Sequence, residues 1–184
     1  MVVKVMRKLS VILLNLCLSV FLFGQNSNMI GKEAKPWKNI NWIDADGNET
    51  NIDYASYKGK VVYILNYQSW CPGCHSIGLP RLKKLISNYN DTNDVSFLVI
   101  QTVFEGFNVN TQEKNRETQI KYDLNIPFGY DAGSNSSYPE MMMKYKTGGT
   151  PWVIIIDREN KIKFSNFHLE NSEAISLIDQ LVEN

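Results

Sequence analysis

The stretch Val61-Val-Tyr-Ile-Leu-Asn-Tyr67 runs straight into Gln68-Ser-Trp-Cys-Pro-Gly-Cys-His75. Its first seven residues are β-branched, aromatic or aliphatic apart from Asn66, the composition of a strand buried on both faces. From Pro72 to about Tyr89, the apolar positions Ile77, Leu79, Leu82, Leu85, Ile86 and Tyr89 fall near helical spacing, which predicts a helix with one buried face. Pro72 suits the first turn of that helix, where its missing N–H costs nothing. Gly78 and Pro80 within the span predict a kink. The two cysteines therefore stand where a strand hands over to a helix. Unsatisfied backbone N–H groups and the helix dipole favour an anion there, which stabilises the thiolate of Cys71 and makes it the expected nucleophile. Cys74, one turn further in, is placed to attack a mixed disulfide on Cys71 and release the partner. Pro72 stiffens the helix start, and Gly73 leaves room for a partner's backbone.

Outward from this junction, the chain alternates. Trp37 to Tyr57 reads as a β-hairpin around the turn Asp44-Ala-Asp-Gly-Asn48, a turn favoured over a calcium loop because the remaining ligand positions are missing. Val95 to Thr102 is a second buried strand. Asn110 to about Leu124 is a polar helix with few apolar anchors, Ile126 to Tyr130 a short strand, and Tyr138 to Tyr145 a short helix whose Met141, Met142 and Met143 read as core filling. Trp152 to Asp157 and Lys161 to Phe164 form a hairpin across Arg158-Glu-Asn-Lys161, and Ser172 to Val182 is a closing amphipathic helix. That order predicts an α/β fold with a central mixed β-sheet flanked by helices and extended at its N-terminus by a β-hairpin.

The 184 residues, 43% hydrophobic and 21% charged, are those of a globular chain, and 19 basic against 19 acidic side chains give no electrostatic reason to expect nucleic acid. The N-terminus modifies these totals. Met1-Val-Val-Lys-Val-Met-Arg-Lys8 precedes an apolar run from Leu9 to Phe23, the layout of a signal peptide spanning residues 1–24 and cut after Gly24. An uncleaved membrane anchor and a lipid on Cys17 are the alternatives. Removal takes away Lys4, Arg7 and Lys8 and no acid, so the mature chain is mildly acidic. A short polar linker over residues 25–35 then leads into one domain over residues 36–184. Cys17 lies in the targeting segment, so Cys71 and Cys74 are the only thiols expected in the mature protein. A bridge between them closes too small a loop to staple a fold.

The run Val61 to Cys74, together with Gly148-Gly-Thr-Pro-Trp-Val-Ile-Ile-Ile-Asp157 far downstream, resembles the thioredoxin superfamily, and most of all its exported thiol-disulfide oxidoreductases of the TlpA and ResA type. The likeness covers roughly residues 36–183. It implies a thioredoxin-like fold and a redox-active Cys71–Cys74 disulfide that exchanges with protein thiols or disulfides outside the cytoplasm, in the periplasm, more as reductant than oxidant. It further implies a cis peptide before Pro151, which lies against the redox pair, and substrate pairing by the backbone of Thr150, with Trp70 and His75 in supporting places. The chain is expected to act as a monomer without cofactor or metal, with a membrane electron donor as a further candidate partner. Two departures stand out. The buried acid that thioredoxins carry six residues before the first cysteine is replaced by Leu65, beside Asn66, and the glutamate that ResA-like members often carry three residues after the second is Ile77. No carboxylate is then at hand for the proton of Cys74, which leaves His75 or a water.

Competing readings are a non-catalytic binding module on the same fold and a c-type haem protein, since Cys71-Pro-Gly-Cys-His75 also satisfies Cys-x-x-Cys-His, with the methionines 141–143 offering a second axial ligand. A zinc site would need His75 and His168 besides both cysteines.

Overall fold

The computed structural model describes residues 29–133 and 137–183. The targeting segment expected over residues 1–24 lies outside them. The strand β3 (Val61–Tyr67) is buried at every position, as its composition requires. It is an interior strand, between β4 and β6, of a seven-stranded sheet of order β2-β1-β5-β4-β3-β6-β7, formed with β1 (Asn41–Ile43), β2 (Glu49–Thr50), β4 (Val95–Val103), β5 (Phe128–Ala132), β6 (Trp152–Ile156) and β7 (Ile162–Asn166). β4 runs parallel to β3, with Leu65 opposite Val99, and β5 runs parallel to β4. β6 is antiparallel to β3, with Asn66 opposite Trp152, so the sheet is mixed.

The side-chain period of two splits β3 between two cores. Val61, Tyr63, Leu65 and Tyr67 join Cys71, Cys74 and the helices α1 (Leu79–Ile86) and α4 (Asn171–Glu183) on one face. Val62 and Ile64 join Trp37, Trp42, Tyr54, Met141 and Tyr145 on the other, where α3 (Glu140–Tyr145) packs. Of the three methionines only Met141 is core; Met143 is exposed. The helix α2 (Gln112–Lys121) is starved of apolar anchors, as its sequence implies, and its buried residues are Asn115, Thr118 and Gln119. Hydrogen bonds hold it instead. Tyr67 Oη donates to Asn115 Oδ1 at 2.9 Å, Gln119 Nε2 donates at 2.8 Å to the carbonyls of both Asp44 and Ile126, and Thr111 caps the N-terminus.

Three details correct the sequence reading. The N-terminal hairpin ends at Thr50, and Tyr54–Tyr57 is a single 3₁₀ turn capped by Asp53; β1 extends the sheet by pairing antiparallel with β5. Within residues 25–35, expected to be a linker, the described part is docked: Met29 and Ala34 are buried, and backbone bonds link Gly31 to Ile162, Lys32 to Ile162 and Ala34 to Asn160. Finally, the kink expected from Gly78 and Pro80 takes the form of a π-helical turn over Cys74–Gly78. Pro80 has no N–H to offer the preceding turn, and the wider turn accommodates that gap without breaking the helix.

Candidate redox site

The strand-to-helix junction brings together most of the residues singled out from the sequence. Cys71, 7% exposed, and the fully buried Cys74 are free thiols. Cys71 Sγ accepts a hydrogen bond from the backbone N–H of Cys74 at 3.2 Å, the orphan donor that a helix start supplies. It lies 3.6 Å from the carbonyl oxygen of Thr150, to which its thiol donates. The Thr150–Pro151 peptide is cis and Pro151 is buried. A Cβ built on Gly78 would stand 3.1 Å from Pro151 Cβ and 3.6 Å from a Leu65 methyl, so Gly78 lets the helix close onto Pro151. The same construction on Gly73 gives an ordinary 3.5 Å contact with Pro151.

Burial pushes the Cys74 thiol well up, and its hydrogen bond with Cys71 adds to the effect. Leu65 occupies the place of a buried acid, while Asn66 points to the opposite face, donating to the Trp152 carbonyl at 3.2 Å and accepting from Thr102 Oγ1 at 3.1 Å. Ile77 is exposed. Among the described residues no three His, Cys, Asp or Glu side chains cluster in a way that could hold a metal ion.

Trp70, next to Cys71, is 49% exposed. Its fixing was not legible from the sequence. The indole Nε1 donates to Gln68 Oε1 at 3.3 Å, and its backbone N–H to Asn110 Oδ1 at 3.4 Å. Asn110 Nδ2 in turn donates to Gln68 Oε1 at 2.9 Å and to the Glu105 carbonyl at 3.0 Å. Gln68 and Asn110 are completely buried, and Gln68 Nε2 has no hydrogen-bond partner among the described residues. The signal available was a pair of amides, Gln68 and Gln101, at the ends of otherwise apolar strands. Asn110 belongs to the loop between β4 and α2 that carries the exposed Phe107 and Val109. Next to it opens a pocket of about 460 Å³ lined by Ser69, Trp70, His75, Val109, Lys114 and Lys121, among others.

His75 is half-buried, and both of its ring nitrogens are taken: Nε2 lies 2.7 Å from the Ser69 carbonyl and Nδ1 2.9 Å from Tyr122 Oη. With the thiol of Cys74 enclosed in the core and His75 engaged in this way, the Cys-x-x-Cys-His sequence is not presented as a haem attachment site, and the donor set does not fit haem.

A parallel-and-antiparallel sheet flanked by helices, with two thiols at a helix start facing a cis-proline loop, defines a thioredoxin-like protein of the thiol-disulfide oxidoreductase class. The model of the Redoxin family matches residues 31–181, and the chain belongs to that family. It is similar to the thiol-disulfide oxidoreductase ResA of Bacillus cereus, with 26% identity over 159 residues, 83% of this chain and 82% of that one. Among solved structures it is similar to a thiol-disulfide isomerase from Corynebacterium glutamicum, at TM-score 0.71 and 26% identity, covering 86% of this chain and 99% of that one. A thioredoxin-like superfamily protein matches at TM-score 0.72 and 25% identity, over 85% and 97% of the two chains. These likenesses agree with the TlpA/ResA-type resemblance read from the sequence.

Proposed function

We propose that this protein exchanges disulfides with protein partners through Cys71 and Cys74. The observation that carries the reading is the placement of Cys71 Sγ, which holds the Cys74 N–H at 3.2 Å and borders the Thr150 carbonyl in the loop that bears Pro151. The Cys71 thiolate attacks one sulfur of a partner disulfide; a Cys71–partner bond forms and the other partner sulfur leaves as a thiolate, taking a proton from solvent. Cys74, after losing its proton, attacks Cys71 Sγ, so the Cys71–Cys74 disulfide forms and the second partner thiol departs. Two electrons have then passed to the partner. The backbone of Thr150 pairs with the partner chain, Pro151 keeps the approach narrow, and Trp70, Pro72, Gly73 and His75 hold the motif.

Electrons flow outward from the dithiol in this reading. Among the described residues, the donors to Cys71 Sγ are the Cys74 N–H and the Cys74 thiol, with no cationic side chain among them, and a dithiol so modestly stabilised gives up electrons readily, the opposite of a strong oxidant whose reduced form is favoured. The protein works as a monomer outside the cytoplasm, exported by residues 1–24, and is re-reduced by a membrane electron donor. Reduction of insulin by dithiothreitol tests the activity: the protein accelerates it, and Cys71→Ser abolishes the acceleration. A rate no faster than dithiothreitol alone would overturn the reading.

A further inference from the structure

The π turn at the redox motif leaves one backbone group stranded. In a regular helix the His75 carbonyl would receive the N–H of Leu79, four residues on, or of residue 80 in a π turn. The Leu79 N–H instead goes to the Cys74 carbonyl, and residue 80 is a proline with no N–H. The donor that reaches the His75 carbonyl comes from outside the helix: Tyr122 Oη, at 3.1 Å, from the residue that caps the C-terminus of α2. The same hydroxyl oxygen lies 2.9 Å from His75 Nδ1, and the two rings stack at 5.6 Å with 27° between their planes. On its other side the imidazole reaches the Ser69 carbonyl. That carbonyl can only accept, so Nε2 carries a hydrogen, and the single hydroxyl hydrogen of Tyr122 is shared between the His75 carbonyl and Nδ1 unless Nδ1 carries a hydrogen as well.

We propose that His75 and Tyr122 form a positioning pair that repairs this gap and clamps the Ser69 carbonyl, fixing the segment before Cys71 relative to the first turn of the helix. The inference rests on the thiol-exchange reading above and assigns His75 a role other than carrying the proton of Cys74. The clamp acts through the backbone. The Ser69 carbonyl is two residues before Cys71, and the His75 N–H bonds the Cys71 carbonyl at 3.3 Å. His75 therefore holds the nucleophile's peptide from both sides, which keeps Cys71 Sγ over the Cys74 N–H. Tyr122 ties that unit to α2, whose Lys114, Glu117 and Lys121 line the same pocket; Lys121 Nζ lies 5.3 Å from the Tyr122 ring centroid. Loss of the clamp loosens the sulfur-to-N–H contact that favours the reduced form, so the balance moves toward the disulfide.

The test is a glutathione redox titration of the full mature chain as wild type, His75→Ala, Tyr122→Phe and the double variant. Loss of about one hydrogen bond shifts the dithiol–disulfide equilibrium about ten-fold toward the disulfide, equivalent to a potential about 30 mV more negative. His75→Ala and Tyr122→Phe shift it in the same direction, and the double variant shifts it no further than the larger single change, because the two residues act as one unit. Unchanged potentials in folded His75→Ala, or shifts that simply add, overturn the proposal. Ring ¹⁵N NMR of the wild type gives a readout independent of redox activity: His75 carries a hydrogen on Nε2, whereas an Nδ1–H tautomer with Nε2 bare, or a rapidly averaged pair, refutes the clamp. A wild type that forms no Cys71–Cys74 disulfide at any glutathione ratio refutes the exchange reading instead, and the NMR result still decides the clamp.

Discussion

Asn110→Ala removes a side chain that is wholly buried and makes three hydrogen bonds at once. Its amide nitrogen donates to Gln68 Oε1 at 2.9 Å and to the Glu105 carbonyl at 3.0 Å, and its oxygen accepts the Trp70 N–H at a longer 3.4 Å. Each of the two shorter bonds is worth about 1 kcal/mol net, and the long one less. The carbonyl of Glu105 then loses this donor in a part-buried place, while Gln68 Oε1 keeps the Trp70 indole at 3.3 Å. The sum is about 2–3 kcal/mol, which for a domain of this size lowers Tm by roughly 5–10 °C. Asn110→Asp sharpens the test, because a carboxylate keeps the acceptor for Trp70 but turns a second oxygen toward Gln68 Oε1 and the Glu105 carbonyl. It should be less stable than Asn110→Ala at pH 7, and the gap should close in acid, where the protonated group can donate again. Urea unfolding monitored by tryptophan fluorescence measures both. A loss below about 0.5 kcal/mol for Asn110→Ala, or wild-type stability for Asn110→Asp at pH 7, would show that the amide pair does not hold Trp70 and the β4–α2 loop.

Two further outcomes concern protons. The Asp131 carboxylate accepts the N–H groups of Glu140 and Met141 at 2.8 Å each, yet burial outweighs these bonds and raises its pKa from 3.8 to about 6. A folded-state pKa above the unfolded one stabilises the fold fully below about pH 4, and that contribution fades as pH rises through 6, so Asp131 lowers unfolding free energy by at most about 3 kcal/mol between pH 4 and 7. Asp131→Asn should lack this component in urea unfolding at the two pH values; parallel profiles for variant and wild type would contradict it. The second outcome follows from burial of Cys74, which keeps its thiol protonated at neutral pH. Resolution of a mixed disulfide on Cys71 should therefore quicken about ten-fold per pH unit from 7 to 9, following the thiolate fraction. Quenched-flow separation of the adduct measures it, and a plateau below pH 8 would point to a dedicated base.

The strand β3 and the helix after it were legible because burial leaves a period in the sequence: seven consecutive apolar-rich residues, then Leu79, Leu82 and Leu85 on one helical face. The placement of Cys71 and Cys74 at a helix start was legible because it depends on local sequence position. What escaped the sequence lies in contacts with no period. Trp70 meets Asn110 forty residues away, and His75 meets Tyr122 forty-seven residues away. Polar partners of this kind follow from where β4 and α2 return to the junction, and that depends on the whole sheet order. The π turn escaped for a related reason. Pro80 announces that a backbone bond is missing, but the way the chain compensates depends on Tyr122, which the local sequence does not contain. The 3₁₀ turn at Tyr54–Tyr57 lay hidden because its alternating aromatic residues mimic a strand, whereas Tyr54 turns in against Trp37 at 4.8 Å between ring centroids.

Trapping of the exchange intermediate tests the central claim most directly. Reduced Cys74→Ser protein, mixed with a protein disulfide and analysed by non-reducing mass spectrometry, should accumulate one mixed disulfide per chain, mapped to Cys71 and released by dithiothreitol. Wild type under the same conditions should carry the intramolecular Cys71–Cys74 bond and leave the partner as free thiols. Absence of any adduct on Cys71, with the partner disulfide intact in both mixtures, would contradict the account.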